Sequence, residues 1–470
     1  MMTDLYQLTM MNGYLHHGMQ NNRACFDLFS RKRGDIMAYA VAAGLEQAIE
    51  YVQNLKFTED DIGYLRSLGI FDEEFLTYLA DFHFSGQILA VPEGTVVFPN
   101  EPILRVIAPV MEAQLLETAL LNIINHQTLI ATKAARVVQA AKGDTVLEFG
   151  LRRAQGPDAG IYGARAAIIG GCQATSNVLT GQMFHIPIGG THAHSWVMSF
   201  PDELSAFRAY AEVFPTNCLL LVDTYDTLGS GVPNAITVFK ELRERGYEPK
   251  GIRLDSGDLA FLSRQARRML DEAGFPNAKI CASGDLDEEV IWDLKAQGAA
   301  IDIWGVGTKM ITSMDNPALG GVYKLAAEEA DGKFVPRIKI SENPAKVTNP
   351  GVKQLYRFYD KITGKALADM IALEEEDFTS GEPLEIFDPE NTWKRMTLCE
   401  YEARKLLIPV FENGELVYDL PELSTIAAYS MKELESFWDE YRRLTRPHRY
   451  KVDLSAKLYE LKHSLLANRT

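Results

Sequence analysis

The sequence predicts a mixed α/β protein whose middle portion is a parallel barrel or sheet, and two observations carry that expectation. From about Thr145 to Gly307, short apolar runs end in polar or acidic residues and lead into amphipathic stretches. That alternation is expected of parallel strands joined by crossover helices. The unusual polar chemistry, in LRRAQG, GGTHAHS, DTYD, RLDSGD, ASGD and GVGT, collects just after those apolar runs. In a barrel this is the C-terminal rim, where active sites sit.

The strand candidates are Val146–Leu151, Ile186–Gly189, Cys218–Val222, Ile252–Leu254, Ile280–Ala282 and Ile301–Trp304. Ala235, Val238, Phe239 and Leu242 form one helical stripe, and Leu262, Ala266, Met269 and Ala273 another. Earlier in the chain, Gln87–Val91, Val96–Phe98 and Pro102–Ile107 read as strands and Met111–Ala141 as mainly helical, which makes an α+β unit. From about Arg337 the pattern is less periodic, with an expected helix at Met431–Leu444. The expected division is residues 1–140, an α+β domain joined by part of the C-terminal segment; 141–335, the barrel; and 336–470, an extension with strands and helices. No repeat of roughly 20–50 residues is visible, which argues against a solenoid.

A chain of 470 residues, 47% hydrophobic, can bury a large core and exceeds one ordinary domain. The net charge of −17 disfavours a general nucleic-acid surface, so any phosphate site must be built locally. Five scattered cysteines without a CxxC pair suit reduced, buried thiols. The N-terminus lacks a signal-peptide pattern, and no apolar run is long enough for a bilayer. A soluble, cytoplasmic protein without membrane partners is expected.

Arg253-Leu254-Asp255-Ser256-Gly257-Asp258 is the strongest local constellation. Strand alternation puts Arg253 and Asp255 on one face, where a guanidinium could clamp an anion and a carboxylate could accept from sugar hydroxyls. The competing reading is a structural ion pair that caps the helix starting at Leu259. Asp285, in Ser283-Gly284-Asp285, and the Gly305-Val306-Gly307-Thr308-Lys309 turn follow at successive strand ends. Glycines there could free backbone N–H groups for a phosphate, with Lys309 adding charge, although a plain tight turn has the same spelling.

His192 and His194 alternate in GGTHAHSW. On a strand they would face one way and invite a metal site, but no cysteine or acidic triad completes a ligand set. Asp223, at another strand end, could instead orient an imidazole acting as nucleophile. Local sequence favours neither histidine. Arg152 and Arg153 close the first barrel strand, with Arg165 beyond; adjacent arginines on a strand point to opposite faces, so one could enter a site while the other makes a salt bridge.

TDLYQLTM (Thr3–Met10), VVFPNEPILRV (Val96–Val106), EFGLRRAQGPDA (Glu148–Ala159), GGTHAHSWV, LLVDTYDT, RLDSGDL and ASGDLDE, in this order, resemble the nicotinate phosphoribosyltransferases. The match spans residues 3 to about 310. It implies an irregular TIM-like α/β barrel with an N-terminal sandwich-like α+β domain and a C-terminal extension, in a homodimer whose subunits share active sites. It implies ATP-dependent, ligase-type transfer in NAD biosynthesis: nicotinate takes the phosphoribosyl group of phosphoribosyl pyrophosphate, and Mg2+ neutralises the departing pyrophosphate.

Carried over residue by residue, His194 looks like the histidine phosphorylated from ATP, His192 a bystander, and Asp223 the residue that holds the imidazole. Arg253 resembles the substrate-contacting arginine, Asp255 and Asp285 the ribose-binding aspartates, and Gly284, Gly305, Gly307 and Thr308 parts of the phosphate cradle. Asp4 and Tyr6 resemble residues lent by the neighbouring subunit. Phe149 and Tyr6 would sandwich the pyridine ring, Arg152 would contact its substituent, and Ser176 would belong to the substrate pocket. A nicotinamide phosphoribosyltransferase would carry an aspartate near Ala174-Thr175-Ser176-Asn177-Val178; its absence favours a carboxylate substrate. A quinolinate enzyme would not need the phosphorylated histidine. A non-catalytic phosphosugar sensor and a metal-dependent hydrolase are the alternatives from other classes.

Overall fold

The computed structural model describes residues 1–31, 38–343 and 346–467. The chain divides into two compact units, Ile130–Pro317, and Met1–Leu129 together with Ala318–Thr470. The first boundary falls inside one long helix, Glu117–Ala141.

The Ile130–Pro317 unit holds a six-stranded sheet of β1 (Thr145–Glu148), β2 (Ala174–Thr175), β3 (Leu219–Leu221), β4 (Gly251–Leu254), β5 (Lys279–Ser283) and β6 (Ile303–Val306). Their order is β2-β1-β6-β5-β4-β3 and every neighbouring pair is parallel. Helices Pro157–Ile169, Val232–Glu244, Leu259–Glu272 and Glu288–Ala296 make crossovers. Ala235, Val238, Phe239 and Leu242 are buried as expected. The face of Leu259–Glu272 differs: Leu259, Ser263, Ala266 and Leu270 are buried, while Leu262, Met269 and Ala273 are only partly covered. Ser263 hides that stripe in the sequence, yet its hydroxyl is satisfied by the Ala300 N–H at 3.1 Å.

Three expected strands shift. Val146–Leu151 stops at Glu148, because Leu151–Arg153 turns into a 3₁₀ helix. Ile301–Trp304 moves on to Ile303–Val306. Ile186–Gly189 forms no strand and contributes a single parallel bridge between Thr175 and Ile188.

That segment nevertheless spans the gap between β2 and β3. The Thr175 N–H donates to Pro187 O (3.1 Å) and the Gly189 N–H to Thr175 O (2.9 Å). On the other side, Thr191 Oγ1 donates to Leu219 O (2.6 Å), and His192 Nε2 accepts from the Leu221 N–H (3.3 Å). The result is an irregular barrel, an open ladder of six strands whose two edges both hydrogen-bond to this segment.

In the other unit, a seven-stranded sheet interleaves early and late chain: Lys333–Pro336, Gly321–Ala330, Arg23–Ser30, Pro102–Pro109, Gln87–Ala90, Ile408–Glu412 and Glu415–Leu416. A four-stranded sheet contains Tyr401–Lys405, Lys353–Asp360, Ala366–Leu373 and Val452–Leu454. Leu28 and Val106 of the first share a core with Leu355, Ile371 and Leu454 of the second, the sandwich-like layering expected. The expected helix Met431–Leu444 is two helices, Leu423–Glu435 and Asp439–Arg442. The chain breaks between them where Phe437 buries its ring against Phe98 and Tyr450.

Candidate active site

The chemistry of RLDSGD divides between two carboxylates. Asp258 caps the helix Leu259–Glu272 by accepting from the Phe261 N–H at 2.9 Å, which frees Asp255 for the rim. Arg253 Nη2 donates to Asp255 Oδ1 at 2.8 Å, and its Nε donates to Ser283 Oγ at 2.7 Å. Ser283 Oγ in turn donates to Asp255 Oδ1. Burial pushes the Asp255 carboxyl up, but the Ser283 and Arg253 hydrogen bonds, with the Arg253 and His194 charges, outweigh it and hold it below the ordinary aspartate value. A carboxylate fixed in its ionised form results. Ser283, unnoticed as a site residue in the sequence, is the hydroxyl that locks the pair.

Asp223, just beyond β3, has its side chain almost fully buried. Its Oδ2 accepts from the Asp255 N–H (2.8 Å) and Ser256 Oγ (2.7 Å), so it organises the turn that carries Asp255. Its Oδ1 is buried without a hydrogen bond and lies 4.0 Å from His194 Nε2. Asp255 Oδ2 is 3.9 Å from the same nitrogen. The direct hydrogen bond to this imidazole comes instead from Thr224, whose Oγ1 is 3.1 Å from Nδ1. Nothing in the local sequence set Thr224 apart from the other hydroxyls of DTYDT.

The two histidines have different environments. His194 opens the short helix His194–Met198 with its side chain 40% exposed. His192 is buried, edge-on to Tyr210, and burial lowers its imidazole to about 4, so it stays neutral and accepts from the barrel backbone. Bonded to different partners, the two rings do not form a joint ligand pair.

Gly284 sits at φ +93°, and a Cβ there would lie 2.3 Å from Asp255 O; only glycine lets the ASGD turn approach that rim. Asp285, next to it, is exposed and left-handed at φ +48°. A Cβ on Gly305 would come within 2.5 Å of the Phe149 ring, so this glycine makes room for an aromatic side chain. Phe149 is half-buried there, with the Arg253 guanidinium 5.7 Å from its ring centre. Thr308 begins a four-residue helix. Lys309 is paired with Asp287 at 2.5 Å, which holds its ammonium above the ordinary lysine value and spends its charge inside the protein.

Arg152 and Arg153 stand on the 3₁₀ helix rather than on β1, both exposed and with side chains that, among the described residues, have no hydrogen bond or ion pair. The expectation of opposite strand faces therefore does not apply. Arg165 is buried and lies over the Phe184 ring. Ser176 is exposed just after β2, its N–H donating to Glu148 O at 2.9 Å. Asp4 and Tyr6 belong to the other unit: Asp4 Oδ2 accepts from Thr118 Oγ1 at 2.8 Å, and Tyr6 is 47% exposed.

A parallel barrel whose rim gathers an arginine-clamped carboxylate, an accessible imidazole and glycine-permitted close turns has the makings of an α/β-barrel active site. The family description nicotinate phosphoribosyltransferase N-terminal domain matches residues 1–125, and nicotinate phosphoribosyltransferase C-terminal domain matches residues 352–462. The chain is 52% identical over 453 residues to the nicotinate phosphoribosyltransferase of Bacillus subtilis, covering 96% of this chain and 92% of that one. It is 34% identical to the human nicotinate phosphoribosyltransferase, covering 100% and 97%. The crystal structure of human nicotinic acid phosphoribosyltransferase superposes with a TM-score of 0.88 at 32% identity, over 99% of this chain and 100% of that one. The chain belongs to the nicotinate phosphoribosyltransferase family.

Proposed function

We propose that this enzyme transfers the phosphoribosyl group of phosphoribosyl pyrophosphate to nicotinate, forming nicotinate mononucleotide and pyrophosphate, and that ATP hydrolysis through a phosphohistidine at His194 drives the transfer. The pyridine nitrogen bonds to the anomeric carbon as the carbon–oxygen bond to pyrophosphate breaks. Positive charge grows on the ribose, and we assign its stabilisation to the ionised Asp255, clamped by Arg253. Asp255 and the exposed Asp285 accept from the ribose hydroxyls, and the Gly284, Gly305, Gly307 and Thr308 turns take the phosphates. Phe149 and Tyr6 stack on the pyridine ring, with Ser176 at the pocket wall and Arg152 on the carboxylate.

The single observation that carries the energy coupling is an accessible imidazole, His194, within 4.0 Å of both Asp223 and Asp255. A phosphoryl group on its ring adds charge beside the ribose carboxylate and so changes the affinity for substrate and product between the two enzyme forms. Mg2+ would be carried by the phosphate oxygens of phosphoribosyl pyrophosphate, with the hard carboxylate oxygens of Asp255 and Asp285 as candidate protein donors. It would neutralise pyrophosphate charge.

A homodimer with shared sites is supported by exposed apolar side chains at this end of the barrel: Leu151, Val178, Leu179, Met183 and Ile188 are 42–67% exposed. A place in cytoplasmic NAD biosynthesis accords with the family; among the described residues no helix is long and apolar enough to cross a membrane.

The reaction is tested by turnover of nicotinate against nicotinamide with phosphoribosyl pyrophosphate, with and without ATP. Radiolabelled ATP alone should leave an acid-labile, base-stable phosphate on the protein, and His194→Ala should abolish it. Label persisting in that variant assigns the phosphate to another residue.

A further inference from the structure

Glu148, at the last position of β1, is a fully buried carboxyl with no cation beside it among the described residues. A buried carboxyl is costly unless its oxygens are hydrogen-bonded, so its partners are informative. Oε1 accepts from the Gly150 N–H, and Oε2 accepts from Thr175 Oγ1 at 2.6 Å. Thr175 Oγ1 also accepts from the Asn177 N–H at 3.0 Å, and Glu148 O accepts from the Ser176 N–H. One residue thus ties two loops at the rim, Phe149–Arg153 after β1 and Ser176–Asn177 after β2. Burial raises this carboxyl, and the Thr175 and Gly150 donors act against that rise. The fit is tight: a Cβ on Gly150 would meet Glu148 Oε1 at 2.7 Å and Ile311 Cβ at 2.4 Å.

We propose that Glu148 is a positioning residue for pyridine recognition, setting Phe149, Arg152 and Ser176 at fixed places through its bonds to Gly150 and Thr175. The inference rests on the assignment of Phe149 and Arg152 to the pyridine ring and its carboxylate. A residue that merely held the barrel together would affect both substrates, whereas these bonds bear on the two loops assigned to nicotinate. The ribose clamp is built separately, from Arg253, Asp255 and Ser283.

Steady-state kinetics test it. Glu148→Ala leaves a buried N–H without its acceptor and should raise KM for nicotinate at least about tenfold, with KM for phosphoribosyl pyrophosphate changed less than about threefold. Glu148→Gln keeps one acceptor oxygen and should recover much of the loss. Thr175→Val removes only the hydroxyl and keeps the volume, so it reports even where Glu148→Ala folds poorly. It should raise KM for nicotinate too, and the double variant should lose less than the sum of the singles. Parallel rises in both KM values, no recovery with glutamine, or additive losses would overturn the proposal. Arg152→Ala, measured alongside, separates the failures. If it raises KM for nicotinate while Glu148→Ala and Thr175→Val do not, the role of Glu148 falls alone; if it leaves KM for nicotinate unchanged, the loop assignment falls and the inference with it.

Discussion

An arginine that meets no carboxylate in its own chain keeps all its donors for a ligand. Arg152 is such a residue, exposed on a 3₁₀ helix with no partner among the described residues, whereas Arg253 is already committed to Asp255 and Ser283. If Arg152 grips the nicotinate carboxylate, Arg152→Ala removes a hydrogen bond to a charged group, about 1.5–3 kcal/mol, or roughly 10- to 150-fold in kcat/KM. Nicotinamide carries no such charge, so its weak turnover should fall much less and the ratio between the two substrates should narrow, with Tm near the parent's. An equal fall for both would assign Arg152 to the phosphosugar. At this scale the sequence was legible where one strand's period fixed geometry, as for Arg253 and Asp255. It was silent where the partner came from another strand end. Ser283 and Thr224 are ordinary hydroxyls until the fold brings them to Asp255 and His194. Lys309, expected as a free phosphate-binding charge, is taken by Asp287, a partner 22 residues away.

The segment between β2 and β3 supplies the test at the scale of elements. His192 ties that segment to β3 as a neutral acceptor for the Leu221 N–H, with Phe207 and Tyr210 packed on its ring and Ala193 O near Nδ1. His192→Phe keeps an aromatic body but orphans the N–H, so at pH 7.5 it should lower stability by about 1–3 kcal/mol. The pH dependence has a definite sign. The folded imidazole is held at about 4, below the roughly 6.5 of an unfolded histidine. Stability from the neutral ring is complete above the unfolded value and is lost as pH falls through the interval to the folded one. The gap between parent and His192→Phe in denaturant unfolding should therefore narrow from near pH 6.5 toward pH 4. A constant gap would mean that His192 is not the neutral acceptor. The segment was misread as a strand because its apolar run, Ile186–Gly189, looks like its neighbours; it makes one bridge to β2, and the bonds to β3 come from the Thr191 and His192 side chains, which periodicity does not register. Conversely, β4 and β5 were legible because each carries a short apolar stretch, Ile252 with Leu254 and Ile280–Ala282, bounded by polar residues.

At the scale of the whole molecule, the residues assigned to chemistry are distributed unequally. His194, Asp223, Arg253, Asp255 and Asp285 all lie in the Ile130–Pro317 unit, while Asp4 and Tyr6 lie in the unit built from the two ends of the chain. The order of motifs made the family legible, but no periodicity in one chain states whether Tyr6 serves its own barrel or a neighbour's. In a symmetric dimer with exchanged N-termini, each site takes its barrel from one subunit and Tyr6 from the other. A dimer of one Tyr6→Ala chain and one Arg253→Ala chain then has one site with both defects and one with neither. Random reassociation of equal amounts makes about half the dimers mixed, each with one intact site, so activity should recover to about a quarter of the parent's. Each variant alone should stay near its own low level. If Tyr6 acts on the barrel of its own chain, every site in the mixed dimer carries one defect, and mixing should return no more than the average of the two variants. Subunit exchange followed by native mass spectrometry, with activity read on the same samples, distinguishes these outcomes: mixed dimers with no recovery would eliminate the shared site, and the absence of any dimer would eliminate the assembly itself.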